Sequence, residues 1–342
     1  METHEDYMIQ FTRAAAGSED VLLVSAVHER SDPFDPDTRI YRYDHRLGAD
    51  GWFFDDLSMD VQSITLFQPD EATRYFCCLS SQGEVYHNTA RGPFTETITG
   101  VGVAQGGRLH RITAVDSQLV ACGENGQVFI RSKVGNWDAI AGSGPERAAE
   151  VARSFETAPP PTDPRFLEWV QSMANPFKSS VLLFAATGTS VDDLYVAGAT
   201  ANGAGILRHH SAMGFADVPV PKIQSISDLM QAPNGTIWAC GKGGTILVGN
   251  RERGFEDRST GNELTQFSSL AWYENACWIA SVSQPRGLFR CEEGGRPERL
   301  AEAPRDVQSL SAVGKVLWAV GQKTIYRLEN GNWERIAHPD VK

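Results

Sequence analysis

Few residues in this chain are of a type and spacing that could do chemistry. His209 and His210 are adjacent in an apolar segment; if that segment is a strand, their side chains point to opposite faces and cannot share one metal ion. Asp32, Asp35 and Asp37 cluster in the stretch HERSDPFDPDT, residues 28–38. A calcium loop needs a central glycine and a distal glutamate, and Pro33 and Pro36 impose a different backbone. Gly241-Lys242-Gly243-Gly244-Thr245 has the composition of a phosphate cradle, but it leads into Ile246-Leu247-Val248 rather than a helix. Gly100-Val101-Gly102 likewise opens no helix. No GxSxG elbow is present, and the six cysteines show no CxxC spacing. Neither a metal, a cofactor nor a covalent nucleophile is expected.

The elements that would position these residues follow from internal repetition. The segment 306–336, DVQSLSAVGKVLWAVGQKTIYRLENGNWERI, reads as four short strands divided by turns at Gly314, Gly321 and Gly331. Similar units occupy 108–140, 222–257 and 265–300. Their second strands end in a shared step, Val120-Ala121-Cys122-Gly123, Trp238-Ala239-Cys240-Gly241 and Trp318-Ala319-Val320-Gly321, shortened to Val196-Ala197-Gly198 in another unit. Residues 7–57, 61–98 and 181–218 supply three more units, which makes seven. A four-stranded unit of about 40 residues cannot bury both faces alone, so neighbours must stack, and radial stacking gives a β-propeller. The expected fold is all-β, a seven-bladed β-propeller spanning 1–342 as one domain. Reading 7–13 as an innermost strand lets the first unit supply all four of its strands; six or eight blades follow if that unit is read otherwise.

The third strand and the turn after it, Phe129-Ile130-Arg131-Ser132-Lys133-Val134-Gly135-Asn136-Trp137 and Tyr326-Arg327-Leu328-Glu329-Asn330-Gly331-Asn332-Trp333, carry a family likeness. The pattern resembles the degenerate BNR/YVTN-like propellers, including those related to photosystem II assembly and stability factors. Val134 stands where the sialidase Asp-box has its aspartate, so the resemblance implies blade geometry and not sialidase chemistry.

One segment breaks the period. Residues 143–180 change from a two-residue to a 3.6-residue apolar repeat, with Ser143 and Glu146 as a capping box and Ala148, Val151, Ala152 and Phe155 on one side. After Pro159-Pro160-Pro161, Asp163 can cap a second helix with Pro164 at its first position, aligning Phe166, Trp169, Val170 and Met173. This predicts an α-helical hairpin inserted between the third and fourth blades, with Phe177 adding apolar area. In a propeller the blade-to-blade connection and the loop between second and third strands share one face, so hairpin and acidic loop should decorate one rim. Asp32, Phe34, Asp35, Asp37, Phe155, Phe166, Trp169 and Phe177 are the candidate partner-binding residues.

The balance of 31 basic and 43 acidic residues, a net charge of −12, argues against a nucleic-acid binder and would steer a basic protein partner. No apolar run reaches the roughly 20 residues of a membrane span, and METHEDYMIQ lacks the basic-then-apolar order of a signal peptide. The sequence therefore points to a cytoplasmic protein with reduced thiols, monomeric when free. Two functions fit it. One is a non-catalytic interaction propeller that neutralises a toxin (immunity-like) or acts as an assembly factor or scaffold. The alternative is a hydrolase or lyase with its site in the central channel, which predicts at least three convergent acidic, His or Arg side chains there with perturbed pKa values; Arg111, Asp116 and Asp228 lie near innermost strands, but no spacing rule selects them.

Overall fold

A computed structural model describes residues 9–28, 37–101, 107–142, 158–169 and 181–341. They form seven four-stranded antiparallel sheets, each with its strands in simple chain order. Blades 1 to 7 span 9–57, 61–97, 109–141, 181–217, 226–257, 267–299 and 309–336. The seven units expected from the repeat are thus the seven blades.

Within a blade, burial follows position along the radius. Second strands are covered on both faces and read as unbroken apolar runs: Ile237–Gly241, Ala276–Ser281 and Val316–Val320 are buried at every residue. Outermost strands are largely solvated, as in Gly254–Asp257. The core is divided, with one apolar cluster in each of the seven interfaces between neighbouring blades. All six cysteines are free and buried, and each belongs to one of these clusters, acting as a small hydrophobe.

Blade 1 holds four strands of its own, beginning with Ile9–Ala16, so no C-terminal strand completes it. Closure instead uses contacts between blades 1 and 7 and the tail. The Phe11 amide donates to the Gln322 carbonyl at 2.9 Å, and Ala16 donates to the Ser311 hydroxyl at 2.9 Å. Past the last strand, His338 sits among Phe11, Tyr41 and Trp52, with ring centroids at 5.3, 4.4 and 4.3 Å. The Tyr41 hydroxyl donates to Asp340 at 2.8 Å, and the Trp52 indole donates to the Ala337 carbonyl at 3.1 Å. This staple was not anticipated from the repeat, nor was the short 3-10 helix His45–Gly51 between the third and fourth strands of blade 1.

Of the expected hairpin, residues 158–169 are described. Asp163 caps as predicted: its Oδ1 accepts the Arg165 amide at 2.8 Å, and Phe166–Trp169 form a helical turn with the Trp169 amide donating to the Arg165 carbonyl at 2.9 Å. Among the described residues, no helix is long and apolar enough to cross a membrane.

Candidate functional site

Innermost strands do not run straight to the channel mouth. In six of the seven, one residue is bulged out of register with the second strand: Thr12, Gln62, His110, Phe184, Ser227 and Ser268. The residue before each bulge is buried, as with Phe11, Val61, Leu109, Leu183, Ile226 and Phe267. A bulge kinks the strand and re-aims its side chains; here five of the six bulged residues, along with several neighbours, line the channel. The shared glycine step now has a cause. A Cβ on Gly123, Gly198, Gly241 or Gly321 would overlap the carbonyl oxygen of Arg108, Leu182, Ser225 or Asp306, at or just before the start of the innermost strand.

The result is a cavity of about 800 Å³ at the channel mouth, on the face where the loops between second and third strands emerge. Arg13, His110, Arg111 and Lys242 supply its ionisable groups, amid glutamine amides and serine hydroxyls, with Leu182, Phe184 and Val282 as apolar wall. Arg13 is reached by water yet ringed by protein, and its Nε and Nη1 donate to the Gln62 and Thr12 carbonyls at 2.6 and 3.0 Å. Burial first, and Arg111 second, lower its pKa. Burial also holds the His110 pKa below its ordinary value, against Glu124 at 3.9 Å. Asp228, 3% exposed, lies beneath the lining and takes Arg111 Nη2 at 2.7 Å. Its oxygens also accept the amides of Leu229 at 3.0 Å and Leu270 at 2.9 Å.

Arg111 and Asp228 are brought together, and Arg13, His110, Arg111 and Lys242 converge at the channel mouth. Asp116 is not among them. It occupies the exposed hairpin turn after Leu109–Val115, with φ at 51°, at the opposite end of that strand. The glutamines and the Arg13 guanidinium were missed, although Val61-Gln62-Ser63, Ile223-Gln224-Ser225 and Val307-Gln308-Ser309 repeat one apolar-Gln-Ser step along the chain.

A second constellation has the geometry of a thiol nucleophile but not its setting. Cys77 Sγ lies 3.3 Å from His87 Nδ1, and His87 Nε2 lies 2.8 Å from Glu96. Glu96 is also held by Arg131 at 2.7 Å and by the Gly135 amide at 2.6 Å. Phe94 stacks flat on His87 with centroids 4.3 Å apart. Cys77 and His87 have no exposed surface, and burial pushes the thiol pKa well up, so no substrate reaches a thiolate there. The group is a polar staple between blades 2 and 3.

Among the other predicted residues, His209 and His210 face apart: His209 meets Asp193 at 2.8 Å, and His210 meets the Val191 carbonyl at 2.7 Å. No group of three metal-ligating side chains occurs among the described residues. Asp37 is exposed just before the strand Thr38–Asp44. Phe166 and Trp169 are half-buried and packed together at 5.6 Å. Asp32, Phe34, Asp35, Phe155 and Phe177 lie outside the described residues.

No family model matches the chain. Immune protein Tsi7 of Pseudomonas aeruginosa is 23% identical over 282 residues, which cover 81% of this chain and 79% of Tsi7. Among solved structures, YCF48 bound to D1 peptide is 11% identical with a TM-score of 0.59, over 98% of this chain and 97% of that one. Virginiamycin B lyase from Staphylococcus aureus is 10% identical with a TM-score of 0.57, over 82% of this chain and 84% of that one. The chain is a seven-bladed β-propeller of the architecture that its repeat resemblance implied.

Proposed function

We propose that the chain is a non-catalytic propeller that binds and neutralises a partner protein, in the manner of an immunity protein. The observation that carries this reading is the likeness to Immune protein Tsi7, which runs through most of both chains rather than one blade. YCF48, a propeller of the same architecture, is seen with a peptide bound. The binding face is the one on which the channel mouth opens; the charge of −12 suits a basic partner. The site of action is the cytoplasm, and the free protein is a monomer.

A channel-centred hydrolase or lyase is the second reading, favoured by the low-pKa His110 beside two arginines. Against it, both neighbouring carboxylates are engaged: Glu124, 3.9 Å from His110, accepts the Arg108 amide at 3.0 Å, and Asp228 has its oxygens occupied by a guanidinium and two amides.

Deleting the gene in its native host and co-culturing the deletion strain with its parent tests the reading. An immunity role predicts that the deletion strain is outgrown on contact and is rescued by the intact gene. It also predicts that the purified chain carries a stoichiometric partner whose expression alone arrests growth. A deletion strain that keeps pace with its parent overturns it.

A further inference from the structure

We propose that the channel mouth is a binding site for an anionic group, a carboxylate or a phosphate. This goes beyond the partner reading, since a chain unable to capture its partner on the rim could still hold the anion.

The charge distribution carries the argument. The protein as a whole bears −12, yet the cavity is lined by Arg13, Arg111 and Lys242 and by no carboxylate. Asp228 lies below and is in ion-pair contact with Arg111, while it attracts Arg13 only from beyond that distance. Among the described residues, neither Arg13 nor Lys242 lies within ion-pair distance of a carboxylate. Arg13 is the more telling of the two. Its hydrogen bonds go to backbone carbonyls, which use two of the five guanidinium N–H donors and leave the others toward the lumen. Arg13 and Arg111 repel one another across the cavity that Lys242 also lines, and an incoming anion relieves that repulsion while making charge-assisted hydrogen bonds. The Gln224 amide lines the same cavity, whereas Gln62 Nε2 already donates to Asp60 at 3.0 Å. A cavity of about 800 Å³ admits an organic acid or a phosphate ester as readily as a single acidic side chain. The source of the anion, a free small molecule or an acidic side chain of a bound polypeptide, is what the experiment separates.

Isothermal titration at low ionic strength is run in two arms on the full-length protein. One titrates citrate and inorganic phosphate, the other a hexaglutamate peptide. Variants Arg13→Gln and Lys242→Gln are compared with Arg91→Gln, an exposed arginine away from the cavity. The expected result is binding that falls on the order of tenfold in each channel variant, is unchanged in Arg91→Gln, and weakens with added salt. Binding of citrate or phosphate assigns a free small anion; binding of the peptide alone assigns a polypeptide side chain. Should Arg13→Gln fail to fold, Lys242→Gln, altered at an exposed position, gives the same reading. The proposal is overturned if no probe binds the wild-type chain, or if the folded channel variants bind as it does.

Discussion

Arg111 and Asp228 meet at 2.7 Å although they belong to innermost strands two blades apart. The corresponding residue of the intervening blade 4 is Ala185, which offers no polar group. Through the Leu270 amide, Asp228 also holds blade 6, so one carboxylate ties together three blades. Asp228→Ala should leave a guanidinium and a buried amide without their acceptor and cost about 3 kcal/mol in urea unfolding. Asp228→Asn should cost less, because its amide oxygen can still accept from Leu270. Equal, negligible losses would show that the pair does not hold the ring.

The glycine step at the end of the second strand predicts a steep local intolerance. Gly241→Ala sets a methyl group onto the Ser225 carbonyl, and neither backbone can retreat without breaking the sheet. A loss of about 3 kcal/mol or failure to fold is expected. Gly295→Ala is the control: its Cβ would meet nothing nearer than 3.3 Å, and its cost should stay below about 1 kcal/mol. Comparable melting temperatures for the two variants would refute the carbonyl contact as the reason for the repeat.

These two sites also show what was legible in the chain. The repeated Ala-x-Gly step announced the blades because in four of them the end of the second strand lies against a carbonyl oxygen at the start of the first, and only glycine fits there. The channel was harder to read. Arg13, Arg111, Lys242 and Asp228 come from blades 1, 3 and 5, and their meeting depends on ring closure rather than on local spacing. His338 was invisible for a related reason: it follows the last repeat, and its aromatic partners lie about 300 positions earlier. Asp116 does lie beside an innermost strand, but at the end away from the channel mouth, because that strand ends one residue before it.

His338 should make ring closure sensitive to acid. Its Nδ1 accepts the Asp340 amide at 3.1 Å, which leaves the proton on Nε2, buried and without a hydrogen-bond partner among the described residues. Burial lowers its pKa to about 4 from the ordinary 6.5; Asp340 opposes the shift and Arg39 adds to it. The unfolded chain therefore binds the extra proton between these values and the folded chain does not. Stability is full above about pH 6.5, falls as the pH drops toward 4, and levels off below, with roughly 3 kcal/mol lost from this group. Other groups titrate in the same range, so the measurement is the difference between the wild type and His338→Phe. The variant keeps an aromatic ring in the box and should show a shallower decline; parallel pH profiles would count against the staple.

The six thiols should be silent in the folded protein. All are buried, and desolvation raises the pKa of each of them, Cys78 and Cys122 to about 12. Iodoacetamide at neutral pH should modify none of them until denaturant is added, including Cys77 beside His87. Rapid native labelling of Cys77 would mean that Phe94 swings off His87 and that the Cys77–His87–Glu96 group is accessible after all.

The insertion offers a test that separates binding from folding. Phe166 and Trp169 are half-buried on a single helical turn, and Leu167 between them is 70% exposed, a concentration of apolar surface that a free monomer would otherwise cover. If this turn contacts the partner, Phe166→Ala with Trp169→Ala should remove anchoring aromatics of the kind that dominate interfaces, costing about 2 kcal/mol or more of affinity. The ring itself stands on seven blade interfaces to which neither residue belongs. Its melting temperature should therefore change little. The double variant is introduced in place of the intact gene and co-cultured with the parent strain while its folding is followed by circular dichroism. A folded protein that no longer rescues growth places the turn in the interface, whereas full rescue removes it, and a collapse in stability would make the turn part of the core.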